Sequence, residues 1–140
     1  LKRKLEQGQP KEEEWMLRAL LNAPTESALL IDLKGKILAL NEVSAQRLGD
    51  SVHDLIGSVV LNYLPPEIAK YRIAQGRKAV DSGKTVHFQD ERAGRVYDNS
   101  IYPILGPEGK VTALAIYARD VTETKQFEKA LRESEKRYRE

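Results

Sequence analysis

The 140-residue chain contains no cysteine. Disulfides, thiolate zinc sites, thiol nucleophiles and cysteinyl adducts to a chromophore are therefore excluded. Histidine is nearly as scarce, with His53 and His87 alone and no HExxH pair. A phosphate-cradling glycine loop, a serine elbow and a metal-spaced carboxylate cluster are missing too, so neither catalysis by the domain itself nor a bound metal is expected. The 23 basic and 21 acidic residues nearly cancel to a net charge of +2. Such a balance gives no broad positive field, and neither nucleic acid nor anionic lipid is an expected partner. Apolar runs are short: "SALLID" and "VTALAIYA" fall far below the ~20 residues needed to span a bilayer. The leading "LKRKLEQGQPKEEEW" has no apolar signal region. Cytoplasmic placement without direct membrane contact is the matching expectation.

What is present suits a single soluble core: 41% apolar and 31% charged residues. Pro10 and the three glutamates that follow open a helix, "KEEEWMLRALLNA", with Trp15, Leu17, Leu20 and Leu21 at helical spacing. "SALLIDLKGKILALN" reads as two short strands around Asp32-Leu33-Lys34-Gly35, a hairpin turn in which glycine takes the positive φ. Asn41 suits the N-cap of a short helix ending near Gly49. Irregular helical turns are expected over 51–64. Pro65-Pro66 then starts a longer helix whose stripe Ala69, Ile73, Gly76 and Val80 is expected to face the core. "TVHFQDE", "RVYDNSIYPIL" and "KVTALAIYARD" read as three strands, separated by Ala93-Gly94 and Gly106-Pro107-Glu108-Gly109. The economical fold is α+β: a five-stranded antiparallel sheet with helices on one face, flanked by helices at both ends.

This order, together with "DLKGKILALNEVSAQRLGDS", "YPILGPEGKVTALAIYARDVTE" and the Asp120-Val121-Thr122 ending, resembles the PAS domain family of sensory modules. The likeness covers about Leu20 to Thr122. It implies residues 1–19 as linker and flanking helix, 20–122 as the PAS domain, and 123–140 as a connector helix leading to an adjacent PAS or kinase domain. It implies a ligand-binding, dimerising or signal-relaying role in a larger signalling protein, with a sensor histidine kinase as the expected parent. Input to a cyclic-dinucleotide enzyme or a transcription regulator, and a ligand-free dimerisation or spacer domain, remain open beside it. No cofactor is named by the sequence. Haem-binding relatives take their iron ligand from the long helix, which here has no histidine, so haem is not expected. The flavin-adduct branch needs a cysteine and is excluded.

Site candidates follow from the same stretches. Asp120-Val121-Thr122-Glu123 fits a capping box, with Asp120 accepting from the Glu123 amide and Glu123 reaching back. The resemblance implies a relay from sheet to exit helix through Asp120, Thr122 and Glu123. Phe127, Leu131, Ser134 and Tyr138 repeat at a/d spacing, a weak dimer seam, with Glu128/Arg132 and Glu133/Arg137 as pairs outside it. His53 sits in "SVHDLIG", which lacks the Arg-Thr-Pro continuation of a phosphoacceptor helix; a polar helix end is the expectation. For His87, the expected setting has Val86 and Phe88 facing the core and the imidazole outside. Gly76, mid-helix at a cost of about 1 kcal/mol relative to alanine, makes room for a neighbour or for a ligand. If a pocket exists, Arg72, Ile73 and Gly76 from the helix, Tyr97, Asn99 and Ile101 from one strand, and Leu114, Ile116 and Ala118 from the next are its expected lining.

Overall fold

A computed structural model describes residues 21–22 and 26–139. Leu21 and Asn22 are helical, while the rest of the expected first helix, with Trp15, Leu17 and Leu20, lies outside the described residues. The elements run β1 (Ser27–Asp32), β2 (Ile37–Leu40), α1 (Glu42–Leu48), α2 (Val52–Leu55), a 3-10 turn (Val60–Tyr63), α3 (Pro66–Ser82), β3 (Val86–Arg92), β4 (Arg95–Leu105), β5 (Val111–Asp120) and α4 (Thr122–Arg139). The strands form one five-stranded sheet in the order β2-β1-β5-β4-β3. Every pairing is antiparallel. The α+β architecture expected from the sequence is the one observed.

Local chemistry explains the joints. In the β1–β2 turn the Asp32 carboxylate accepts from the Lys34 and Lys36 amides, at 2.9 Å each. Gly35 closes this turn at φ +84°, a conformation that would strain any residue with a Cβ. Asn41 caps α1 by accepting from the Ser44 amide. The irregular 51–64 stretch covers the free edge of β2, since Ile37 donates to the Ser58 carbonyl and Gly57 donates to that of Ile37. An edge strand is thereby kept from pairing with a foreign chain.

One sheet face is buried. Ser27, Leu29 and Ile31 of β1 sit opposite Ala118, Ile116 and Leu114 of β5, and Ile101 of β4 sits opposite Ile116. Together with Ile37, Leu55, Val60 and Ala79, these strands supply the apolar core. The opposite face carries half-exposed Tyr102 and Tyr117, whose rings meet edge to face at 5.5 Å. His87 stands on this outer face, 2.9 Å from the Ser100 hydroxyl. His53 is exposed on α2. Both imidazoles occupy the settings expected of them.

The long helix needs a correction. Its most buried residues are Gln75 and Ala79, not the stripe Ala69, Ile73, Gly76 and Val80. Ile73 remains 40% exposed. The physical reason is that Ile73, Gly76 and Val80 face an open space between helix and sheet rather than packed side chains.

Candidate functional site

Between α3 and the inner face of the sheet lies a cavity of about 390 Å³, lined in part by the β1–β2 turn. Its volume falls within the ~300–1,000 Å³ of small-molecule sites. Arg72, Ile73, Gly76, Ile101, Leu114 and Ile116, all expected from the sequence, line it together with Leu29, Ile31, Val60, Val80 and Phe88. Gly76 keeps the space open: a Cβ there would touch only Leu114 Cδ1, at 3.6 Å. The walls are mainly apolar, with charged groups contributed by Asp32, Lys34, Arg72, Arg77 and Asp81.

A second space of about 30 Å³ adjoins the first through Leu29, Val60, Arg72 and Ile116. Tyr97 and Ala118 line this smaller space, as do Arg47 and Arg92, which sequence reasoning missed. Asn99 shares the inner face but lines neither space. Its amide donates to Asp90 Oδ1 at 2.8 Å and to the Tyr97 carbonyl at 3.3 Å. Arg72 is half-buried rather than free. Its Nε meets Asp90 Oδ2 at 3.1 Å and its second nitrogen meets Oδ1 at 3.4 Å, a forked pair that aims the guanidinium. A signal for the missed β3 residues did exist: Asp90 and Arg92 have the same strand parity as Val86 and Phe88, so inward-facing phenylalanine implied inward-facing charges.

The strand β5 that floors both spaces runs straight into the exit helix. At the junction, Asp120 Oδ1 accepts from the Thr122 amide at 3.0 Å and from its hydroxyl at 2.6 Å, while Oδ2 holds Arg95 Nε at 2.8 Å. Thr122 Oγ1 in turn accepts from the Val96 amide at 2.8 Å. Val121 donates to the Val96 carbonyl, so β4 grips the junction from both sides. The expected capping box is not formed. Asp120 bonds Thr122 instead of the Glu123 amide, and Glu123 makes no return bond, because the last strand residue reaches only two positions ahead. Beyond Thr122, α4 is exposed along its length through Arg139. Phe127, Leu131 and Tyr138 are 70%, 51% and 92% exposed. Among the described residues, the helix has a Lys125–Glu128 contact at 3.8 Å in place of the expected Glu128/Arg132 and Glu133/Arg137 pairs.

Asp120 carries a pH signature. The Thr122 hydroxyl above all, then its amide and Arg95, hold the carboxyl at about 2 instead of the ordinary 3.8, against a burial that pushes the other way. A carboxylate depressed in the folded state stabilises the fold above its ordinary value and loses that contribution as pH falls through the folded value. The junction is therefore fully supported above about pH 5 and released progressively from there towards pH 2. Urea unfolding at stepped pH is expected to give a shallower acid loss of stability for Asp120→Asn than for the wild type. Parallel curves for the two would contradict this role.

Among the described residues no helix is long and apolar enough to cross a membrane, and no cluster of metal-ligating side chains is present. A comparison with curated proteins found no match. Solved structures with the same fold are numerous. A domain of an HTR-like protein from Haloarcula marismortui is 27% identical, with a TM-score of 0.64, over 71% of this chain and 100% of that one. A sensory box sensor histidine kinase from Vibrio cholerae is 17% identical, with a TM-score of 0.64, over 84% and 98%. The VqmA–ligand–DNA complex of Vibrio cholera is 16% identical, with a TM-score of 0.64, over 76% of this chain and 50% of that one. The family model described as the PAS fold matches residues 21–126. With the sheet order, the cavity under α3 and the Asp-Val-Thr exit all in place, the chain belongs to the PAS family.

Proposed function

We propose that this PAS domain is a ligand-responsive sensory module of a larger signalling protein. A small molecule in the space under α3 biases the geometry of β5, and Asp120 and Thr122 pass that bias to α4. The observation that carries the reading is continuity: Leu114, Ile116 and Ala118 line the two spaces, and two residues further the same strand becomes the Asp120–Thr122 junction. A ligand acts here by differential affinity for two arrangements of the junction, without chemistry.

The parent is a sensor histidine kinase in this reading, which the similarity to the Vibrio cholerae sensory box sensor histidine kinase supports. Residues 20–122 are then the sensing unit, 1–19 the entry and 123–140 the connector to a neighbouring PAS or kinase domain. Two copies associate through Phe127, Leu131 and Tyr138, whose exposure on a solvated helix favours a partner helix. An isolated helix of this length is marginal in water, so pairing and helicity rise together. A second reading, input to a DNA-binding regulator, is favoured by the likeness to VqmA, whose complex holds ligand and DNA.

The test is Asp120→Ala in the parent protein. Its signalling output is expected to change at least severalfold while the domain stays folded, since a lost helix cap costs only about 1 kcal/mol. Unaltered output from a folded mutant would sink the relay.

A further inference from the structure

Charge around the smaller space is out of balance. Three guanidiniums, those of Arg47, Arg72 and Arg92, line it. Asp90 is the acid paired with Arg72, and among the described residues no carboxylate lies within ion-pair distance of Arg47 or Arg92. Both of these arginines instead approach the Tyr97 ring, at 4.8 and 5.4 Å from its centroid. Tyr97 itself is 7% exposed, so two half-buried positive charges meet at an aromatic ring largely screened from water. Burial, and next the charge of Arg72, hold Arg92 below the ordinary arginine value, with Tyr97 and Asp90 offsetting only part of the effect. Arginine does not surrender its proton in proteins, so an anion entering this space meets standing positive charge.

The space has a size as well as a charge. About 30 Å³, where roughly 10–15 Å³ holds one water, suits the two oxygens of a carboxylate. It shares Leu29, Val60, Arg72 and Ile116 with the apolar cavity of about 390 Å³ as common lining. A polar head and an apolar body are thereby given separate, adjoining compartments. Resting on the reading of the cavity as a ligand site, we propose that its ligand is a small amphipathic monocarboxylate, the carboxylate held by Arg47 and Arg92 beside Tyr97 and the apolar chain or ring lying under α3.

The placement gives the head group a route to the exit. Arg47 already donates to the Ala118 carbonyl at 2.9 Å, and Tyr97 pairs across the sheet with Asp120. An anion drawing Arg47 towards itself competes with the Ala118 bond two residues before the junction. Binding of the head group and geometry of the exit strand are linked through that single guanidinium.

The test compares octanoate with 1-octanol, which share an apolar chain and differ in charge, by titration calorimetry on the wild-type domain, Arg92→Gln, Arg92→Lys and Arg47→Gln. Octanoate is expected to bind the wild type at least about tenfold more tightly than 1-octanol, the scale of a charge-assisted hydrogen bond. Arg92→Gln is expected to remove most of that preference and leave 1-octanol unaffected, with Arg92→Lys retaining part of it. Arg47→Gln also loses the Ala118 bond, so Arg92→Gln keeps the outcome readable if that variant unfolds. Equal affinity for the two probes would overturn the carboxylate assignment and leave the apolar cavity standing. Octanoate binding indifferent to both glutamine variants would overturn the placement, and failure of both probes would count against the cavity reading itself.

Discussion

Asn41→Ala is expected to destabilise the domain by about 3 kcal/mol, combining a lost helix cap with buried groups left unpaired. Asn41 is 1% exposed. Its Oδ1 accepts from the Ala28 and Ser44 amides, both at 3.0 Å. Its Nδ2 donates to the Leu21 and Glu26 carbonyls, both at 2.8 Å. One side chain thus ties together β1, the start of α1 and the segment entering the sheet. Alanine leaves the Ala28 and Ser44 amides without acceptors in places water reaches poorly, and the net cost of each exceeds that of an exposed hydrogen bond. For a domain of this size the midpoint of thermal unfolding should fall by about 10 °C. Asn22→Ala is the internal comparison, because Asn22 also accepts from a backbone amide, that of Glu42 at 2.8 Å, but on the exposed side. Its loss should be under about 1 kcal/mol. Similar melting shifts for the two variants would show that burial of Asn41 does not amplify its bonds.

The same residue marks how far local pattern reaches. That Asn41 caps a helix was legible, since an asparagine between an apolar strand and "EVSAQRLG" has few other uses. Its bonds to Leu21, Glu26 and Ala28 were not legible, because they depend on where the chain returns in space. The sheet followed from alternation and turn chemistry: in β4, Tyr97 and Ile101 point inward between outward Asp98 and Ser100, and β5 repeats the parity through Leu114, Ile116 and Ala118. Six of the nine residues expected for a pocket line the larger space, Tyr97 and Ala118 line only the smaller, and Asn99 lines neither. Asn99 was misplaced because its partner, Asp90, reads in sequence as surface charge. Arg47 was missed because a charged residue inside is visible only once its neighbours are placed in three dimensions. Asp90 and Arg92, in contrast, were overlooked although they share the parity of inward-facing Phe88. The capping box failed over a shorter distance, with Thr122 supplying both an amide and a hydroxyl to Asp120 before Glu123 comes within reach.

Filling the cavity from within the chain should have the largest effect on function. Gly76→Leu places its Cβ in ordinary contact with Leu114 Cδ1 and with nothing else within 4 Å. The remaining side-chain carbons project from α3 beside the space that Gly76 now leaves open. Gly76 has no positive φ, and leucine is favoured over glycine inside a helix by about 1 kcal/mol. The variant is therefore expected to fold at least as stably as the wild type, yet to lose small-molecule binding under α3 by about 100-fold or more, since bulk and ligand compete for one volume. Binding unchanged in a folded Gly76→Leu domain would place the ligand elsewhere. The variant also serves as a permanent occupant, which separates the consequences of filling the cavity from the identity of what fills it.

Coupling between that cavity and the exit helix is the central claim, and amide hydrogen exchange on Gly76→Leu tests it most directly. The amides to follow are those of Val121, Thr122 and Lys125, which donate to the Val96 carbonyl, the Asp120 carboxylate and the Val121 carbonyl. Exchange at these three should slow severalfold relative to the wild type, while Gly49, which closes α1 by donating to the Ala45 carbonyl, stays within the change set by global stability. Identical exchange at the junction in the two proteins, or one uniform shift across junction and α1 alike, would contradict the coupling.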